Sequence, residues 1–281
     1  MTAAFRHLAR LLALPALVLG VVPAYVYAQA PAAAPPAPAA VPPSPAAQAA
    51  PSTAVLPAAA DVLKKYRTAV GGEALIKKHT SRVMKGNFEI PAQGMRGELT
   101  VLAAAPDRMR LAITLPGLGE MQRGYDGTLG WSIDPAIGPR LLEGRELDEL
   151  KHSADFYDDL HDVSKFSSVK VVGRTTFEGH DCYELHLVRA SGFEYTEFFD
   201  VYSGLLAGVK MNASSQMGSV PVTTVVSEYK SFGGILTPTL TRQKMMGLES
   251  LTTITSVVFD AVDPQEFTLP PAIAALAAQK K

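Results

Sequence analysis

LTVLAAAPDRMRLAITLPGLGEMQRGYDGTLGWSIDP, residues Leu99 to Pro135, is the stretch whose reading decides the fold. It reads as three strands separated by turn signals; Pro106-Asp107, Pro116-Gly117 and Asp126-Gly127 supply the turns, since Pro presets φ and Gly accepts φ > 0. Between the first two turns, Met109, Leu111, Ile113 and Leu115 alternate with Arg108, Arg110, Ala112 and Thr114, the period-2 pattern of a strand with one apolar face. Trp131, the only tryptophan, closes the run before Asp134-Pro135. That apolar face must be covered, and its cover decides what the protein does.

Towards the N-terminus, Arg82 to Ile90 is a strand and Met95 to Ala104 its partner. Before them, Val62, Leu63, Tyr66, Ala69 and Val70 recur at helical spacing from Asp61, Gly71-Gly72 interrupts, and Glu73 to His79 gives another turn or two. Towards the C-terminus come a short strand at Arg140 to Leu142 and a second helical segment, Glu146 to His161. Asp155, Asp158, Asp159 and Asp162 in and after that segment, with His152 and His161, match neither HExxH nor a calcium loop, and are expected to form a solvated face. Seven strand candidates then follow without helices between them: 168–172, 181–189, 194–200, 206–213, 223–232, 239–246 and 251–258. Glu178-Gly179, Ser191-Gly192, Ser203-Gly204 and Gly233-Gly234 mark turns, so the sheet is antiparallel. Phe267 and Pro270-Pro271 close the domain, leaving 272–281 as a C-terminal tail with at most helical character.

The first 28 residues have the parts of a secretory signal. Arg6, His7 and Arg10 precede an apolar core from Leu11 to Val22, and Val26-Tyr27-Ala28 offers a cleavage site. The alternative is an uncleaved inner-membrane anchor, since Leu11 to Ala28 approaches the length a bilayer requires. Either way the expected location is the periplasm. Residues 29–60 are almost wholly Ala, Pro, Ser and Gln, a spacer expected to be disordered because it has too little apolar side chain to offset its ordering entropy. The folded domain is therefore expected over 61–271. A net charge of −1, which becomes −3 when Arg6 and Arg10 leave with the signal, gives no field to gather nucleic acid. One cysteine, Cys182, excludes an internal disulfide and a multi-cysteine zinc site. It shares a strand face with His180 and His186, but no oxyanion donor or orienting group accompanies it, and it is expected to be a small buried apolar residue. With no nucleophile elbow, SxxK, phosphate loop or zinc motif, neither catalytic residues nor a metal or cofactor are expected.

In order of elements, residues 61–271 resemble the LolA-like family, the periplasmic lipoprotein carriers and outer membrane lipoprotein-sorting relatives. The likeness is carried by Pro106-Asp107, then Asp126-Gly127-Thr128-Leu129-Gly130-Trp131, then Asp134-Pro135. Phe199-Asp200-Val201-Tyr202-Ser203-Gly204-Leu205-Leu206 is similar to the family's Asp…Gly-Leu turn, and Tyr229 with Gly234-Ile235-Leu236 and Pro238 to its later strand. Where the carriers place a basic residue before the strand-ending proline to hold a helical lid, this chain has Ala105, which suits a divergent member. The resemblance implies an α+β fold. Its core is an unclosed antiparallel β-barrel, a half-barrel of about eleven strands, with two or three helices covering the concave face and an acyl-binding cavity between.

Independently of the family, a sheet of this size has an inner face of Leu, Ile, Val and Met that two short helices cover incompletely. The candidate cavity residues are Met109, Leu111, Ile113, Leu115, Trp131, Leu185, Leu187, Val209, Met211 and Val225. Dry apolar cavities accept hydrocarbon, and each buried CH₂ contributes about 0.8 kcal/mol. Nine methionines supply adaptable lining. The expected function is a non-catalytic carrier or binder of lipid or lipoprotein acyl chains, monomeric and without nucleic-acid partners. The alternatives are an envelope-sensing module that engages a membrane protein, or a docking domain with no transported ligand.

Overall fold

The computed structural model describes residues 55–215 and 218–279; the signal segment and residues 29–54 of the spacer lie outside them. Helix α1 (Ala59–Ala69) and the short α2 (Glu73–Lys77) come first. Six strands then run as a meander: β1 (Ser81–Ile90), β2 (Met95–Ala104), β3 (Arg108–Leu115), β4 (Gly119–Tyr125), β5 (Gly130–Asp134) and β6 (Gly138–Leu141). Helix α3 (Gly144–Ala154) leads to a second meander: β7 (Phe166–Phe177), β8 (His180–Arg189), β9 (Glu194–Asp200), β10 (Leu206–Ser215), β11 (Gly218–Phe232), β12 (Ile235–Met245) and β13 (Leu248–Phe259). Helix α4 (Pro271–Gln279) ends the described chain.

All thirteen strands join one antiparallel sheet in the order β6-β5-β4-β3-β2-β1-β13-β12-β11-β10-β9-β8-β7, with β13 pairing β1 to unite the meanders. The sheet ends at β6 and at β7, so the barrel is unclosed and the fold class is α+β. The strand count exceeds the eleven expected. Part of the difference lies in the opening stretch, where Asp126-Gly127 makes a hairpin of its own: the Asp126 carboxylate accepts from the backbone N–H of Thr128 and Leu129 at 2.8 and 2.7 Å, and Tyr125 pairs Gly130. Leu99 to Pro135 thus spans four strands. The second helix is also shorter than its periodicity suggests. After Ala154, Asp155 accepts from the Tyr157 N–H and the Phe156 N–H turns away to the Pro106 carbonyl, so only a 3₁₀ turn, Asp158–Leu160, follows.

The inner face carries two large apolar clusters. One joins Val62, Leu63 and Tyr66 of α1 to Leu185, Leu187, Phe199 and Val222 of the second meander. The other lines the concave side of β13 and β1–β3 through Phe88, Ile90, Leu99, Ile113, Leu115 and Ile254. Each such side chain, fully buried, stabilises the fold by about 1.5–3 kcal/mol. Lys65 of α1 donates from Nζ to the carbonyls of Val201 and Tyr202, and the Leu236 N–H donates to the Val70 carbonyl. The helices are therefore bolted to the β9–β10 and β11–β12 turns. The second contact needs Gly71: a Cβ there would stand 2.9 Å from the Gly234 carbonyl oxygen.

The outer face is not bare. Phe177 and Phe198 stack there at 4.1 Å beside buried Cys182, with Phe177 lying over Gly208. Glu178 at the tip of the β7–β8 hairpin reaches Arg242 on β12, so that hairpin folds back across the sheet. Further round, α4 packs on β6, Phe267 lies 5.1 Å from the Arg108 guanidinium, and Trp131 covers Gly124. A Cβ on Gly124 would stand 2.5 Å from the indole. Gly124→Ala is therefore expected to cost about 1–3 kcal/mol by overpacking, and to shift the emission of the single tryptophan as the ring is displaced. Unchanged stability and emission would contradict this packing.

Candidate functional site

The helices do not fill the half-barrel. Between them and the sheet lies a partly open cavity of about 170 Å³, bordering the Phe88–Leu115 cluster, with which it shares Val101 and Ile254. Its floor comes from alternate positions of neighbouring strands, as the pleat requires: Arg82 and Met84, Val101 and Ala103, Met109 and Leu111. Ile254, Val257 and Phe259 continue it on β13, and the β11–β12 hairpin adds Val226, Tyr229 and Ile235. Tyr66, Val70, Ile76, Leu150 and Phe156 form the roof. The roof is thin because α2 is short and because α3 approaches β5 directly over Gly130, where a Cβ would meet Leu147 at 2.5 Å.

Of the ten candidates read from the amino-acid pattern, Met109 and Leu111 line this cavity. Ile113 and Leu115, further along the same face, lie in the packed cluster with Phe88 and Ile90. Leu185, Leu187 and Met211 belong to the cluster beneath α1, with Val209 packed against it. Val225 packs on the outer Phe177–Phe198 cluster. Trp131 also lies on the outer face, because Gly124, which it covers, alternates with cavity-lining Arg123. The structure therefore joins two of the ten in the cavity and places the other eight elsewhere.

Several lining residues escaped the sequence reading. Arg123 stands between Met121 and Tyr125 on β4, so alternation alone puts it on the inner face. Its Nη2 donates to the Glu146 carbonyl at 3.3 Å, while its Nε is shut off from solvent and has no partner among the described residues. Burial lowers the pKa of this guanidinium to about 10, although Glu146 and Glu149 lie near enough to oppose the shift. Arg82 likewise has a buried Nε without a partner; its Nη1 is 3.6 Å from Asp159, and its guanidinium lies 5.2 Å from the Phe156 ring. Tyr229 donates its hydroxyl to the Leu206 carbonyl at 2.8 Å, and burial raises its pKa well above the usual range.

The segment after α3, which brings Phe156 and Asp159 to the cavity, is clamped from several sides. The Tyr157 hydroxyl donates to the His79 carbonyl, Arg67 donates to the Leu160 carbonyl, and Lys165 pairs with Asp155. Beneath it, buried Arg189 bonds Asp158 and the Tyr195 hydroxyl, and buried His161 sits 2.8 Å from Glu197. Burial disfavours charge on His161, but Glu197, with Asp158 and Asp159, outweighs that and holds its pKa at about 9. This corrects the expectation of a solvated carboxylate face: Asp158 is paired with Arg189 and His161 with Glu197, while Asp162 keeps an exposed capping role, accepting from Ser164. No group of three or more metal-ligating side chains occurs among the described residues. Cys182 is free and buried, its thiol pushed up to about 11 by burial. No described helix is long and apolar enough to cross a membrane.

Comparison with known proteins bears on the fold. No family model matches the chain, and no curated protein matches it. Among solved structures, a LolA superfamily protein from Nitrosomonas europaea is similar at 14% identity and TM-score 0.51, over 76% of this chain and 99% of that one. A DUF1329 family protein from Desulfovibrio piger is similar at 12% identity and TM-score 0.52, over 74% and 96%. At such identities the likeness is one of architecture: the chain has a LolA-like fold.

Proposed function

We propose that this protein is a non-catalytic binder or carrier of acyl chains, acting in the periplasm. The observation that carries the reading is the void between helices and sheet. Its walls are mostly apolar, it is partly open, and buried apolar clusters flank it along the inner face. An engineered apolar cavity of about 150 Å³ stays dry and takes up benzene, so a space of this size suits a segment of one hydrocarbon chain. Met84 and Met109 in the wall, being unbranched, can repack to lengthen it. The LolA-like architecture and the secretory character of residues 1–28 support the same reading and the periplasmic location. Lipoprotein acyl chains are one source of such a ligand, and Met109 and Leu111 are its expected wall contacts.

The test is to purify the full chain from an exporting bacterial host, extract it with organic solvent and weigh the extract by mass spectrometry. An acyl-bearing lipid near one equivalent is expected. No lipid in the extract, together with no uptake of a fluorescent acyl probe, would overturn the reading.

A further inference from the structure

The cavity wall is mostly apolar, and the two guanidinium groups that enter it, alongside Asp159, His79 and a few hydroxyl groups, are poorly satisfied. Arg123 makes one hydrogen bond among the described residues, to a carbonyl, and carries an Nε cut off from water. Arg82 has the same orphaned Nε, and its nearest carboxylate, Asp159, stands at 3.6 Å, beyond hydrogen-bonding reach. Two guanidiniums that line one mostly apolar void with most of their donors unpaired are poised for an acceptor that enters it. Neighbouring Glu146 does not meet the need, because its carboxylate is engaged by Arg140. A guanidinium fork matches a carboxylate or phosphate with paired N–H donors.

We infer that the ligand is a single-chain amphiphile with an anionic head, a carboxylate or a phosphate, its chain lying along Met84, Val101 and Val257 and its head received by Arg123 with Arg82. One chain rather than several follows from the volume of about 170 Å³, bounded on one side by the packed Phe88, Ile90, Leu99, Ile113 and Leu115. Asp159 stands 3.6 Å from Arg82, while Glu146 and Glu149 only partly offset the burial of Arg123, which makes Arg123 the principal contact. The inference rests on the acyl-binding reading above, and names the head that reading leaves open.

Three ligands with the same twelve-carbon chain separate the possibilities: laurate, dodecyl phosphate and dodecanol, titrated at pH 8 below their micellar concentrations by displacement of a fluorescent acyl probe. At least one anion is expected to bind about tenfold or more tighter than the alcohol, the size of a hydrogen bond to a charged group. Whichever anion is preferred identifies the source as a fatty acid or a phosphate ester. In Arg123→Gln the preference is expected to collapse while dodecanol binding persists, which also shows the variant to be folded; Arg82→Gln is expected to lose less. Equal binding of all three ligands overturns the inference and leaves the acyl-binding reading intact. A preference that survives both substitutions overturns the arginine assignment. Binding of none overturns both the inference and the reading beneath it.

Discussion

Leu111→Trp is expected to lower the affinity for a twelve-carbon acyl probe by about tenfold or more while leaving the melting temperature near that of the parent. The added ring enters the void, not packed core, because Leu111 is part-exposed and lines the cavity. Each CH₂ of ligand displaced from apolar contact forfeits about 0.8 kcal/mol, so two such groups suffice for a tenfold loss. Val172→Trp, on the exposed face of edge strand β7, is the matched control and is expected to bind normally. Probe displacement and thermal unfolding measured together decide the matter. If Leu111→Trp binds as well as the control, the cavity is not where acyl chains go.

The second large effect concerns the clamp below the lid. His161 has a folded pKa of about 9 against an ordinary value near 6.5, so its protonated form is the one the fold prefers. The stabilisation it brings is complete below about pH 6.5 and is lost as pH rises through about 9. Stability is accordingly expected to fall by a few kcal/mol across that window. Glu197→Ala removes the partner and leaves the imidazole sealed in the core, at an expected cost of about 3–5 kcal/mol near neutral pH. The same substitution should flatten the pH profile between 6.5 and 9. Denaturant melts at several pH values read both effects, and a parental slope retained in Glu197→Ala would show that another group titrates there.

Much of the architecture was legible because its causes are local. The Met109–Leu115 alternation, the Gly71-Gly72 break and the hairpins at Glu178-Gly179 and Ser203-Gly204 each follow from one or two residues' backbone preferences. Alternation says which residues share a face, however, and not which length of that face is left open. Met109 and Ile113 are equivalent by pattern; one lines the void and the other is packed against its neighbours, because closure of the curved sheet is decided by strands far away in sequence. Trp131 and Val225 misled for a related reason. Large apolar side chains suggested the interior, but the C-terminal segment and the folded-back β7–β8 hairpin create a second, outer layer for them. The lid offers the third lesson. Ala105 cannot supply a basic lock, and the Pro106 carbonyl, Arg67, Lys165 and Arg189 hold the segment instead, all but the Lys165–Asp155 pair through contacts distant along the chain.

The pairing of the first strand with the last has a bearing on how the molecule comes into being. Asp260, just past β13, accepts from the backbone of Thr80 and Ser81 and meets His79 across 181 positions of chain. Until the final tenth of the polypeptide arrives, β1 presents a row of unsatisfied amides and carbonyls, an invitation to aggregate. A chain synthesised N-terminus first must wait with that flank bare, so its assembly should be slow and reliant on escorts. Shortening the chain before Leu248 would leave two separate ribbons rather than a smaller version of the same vessel.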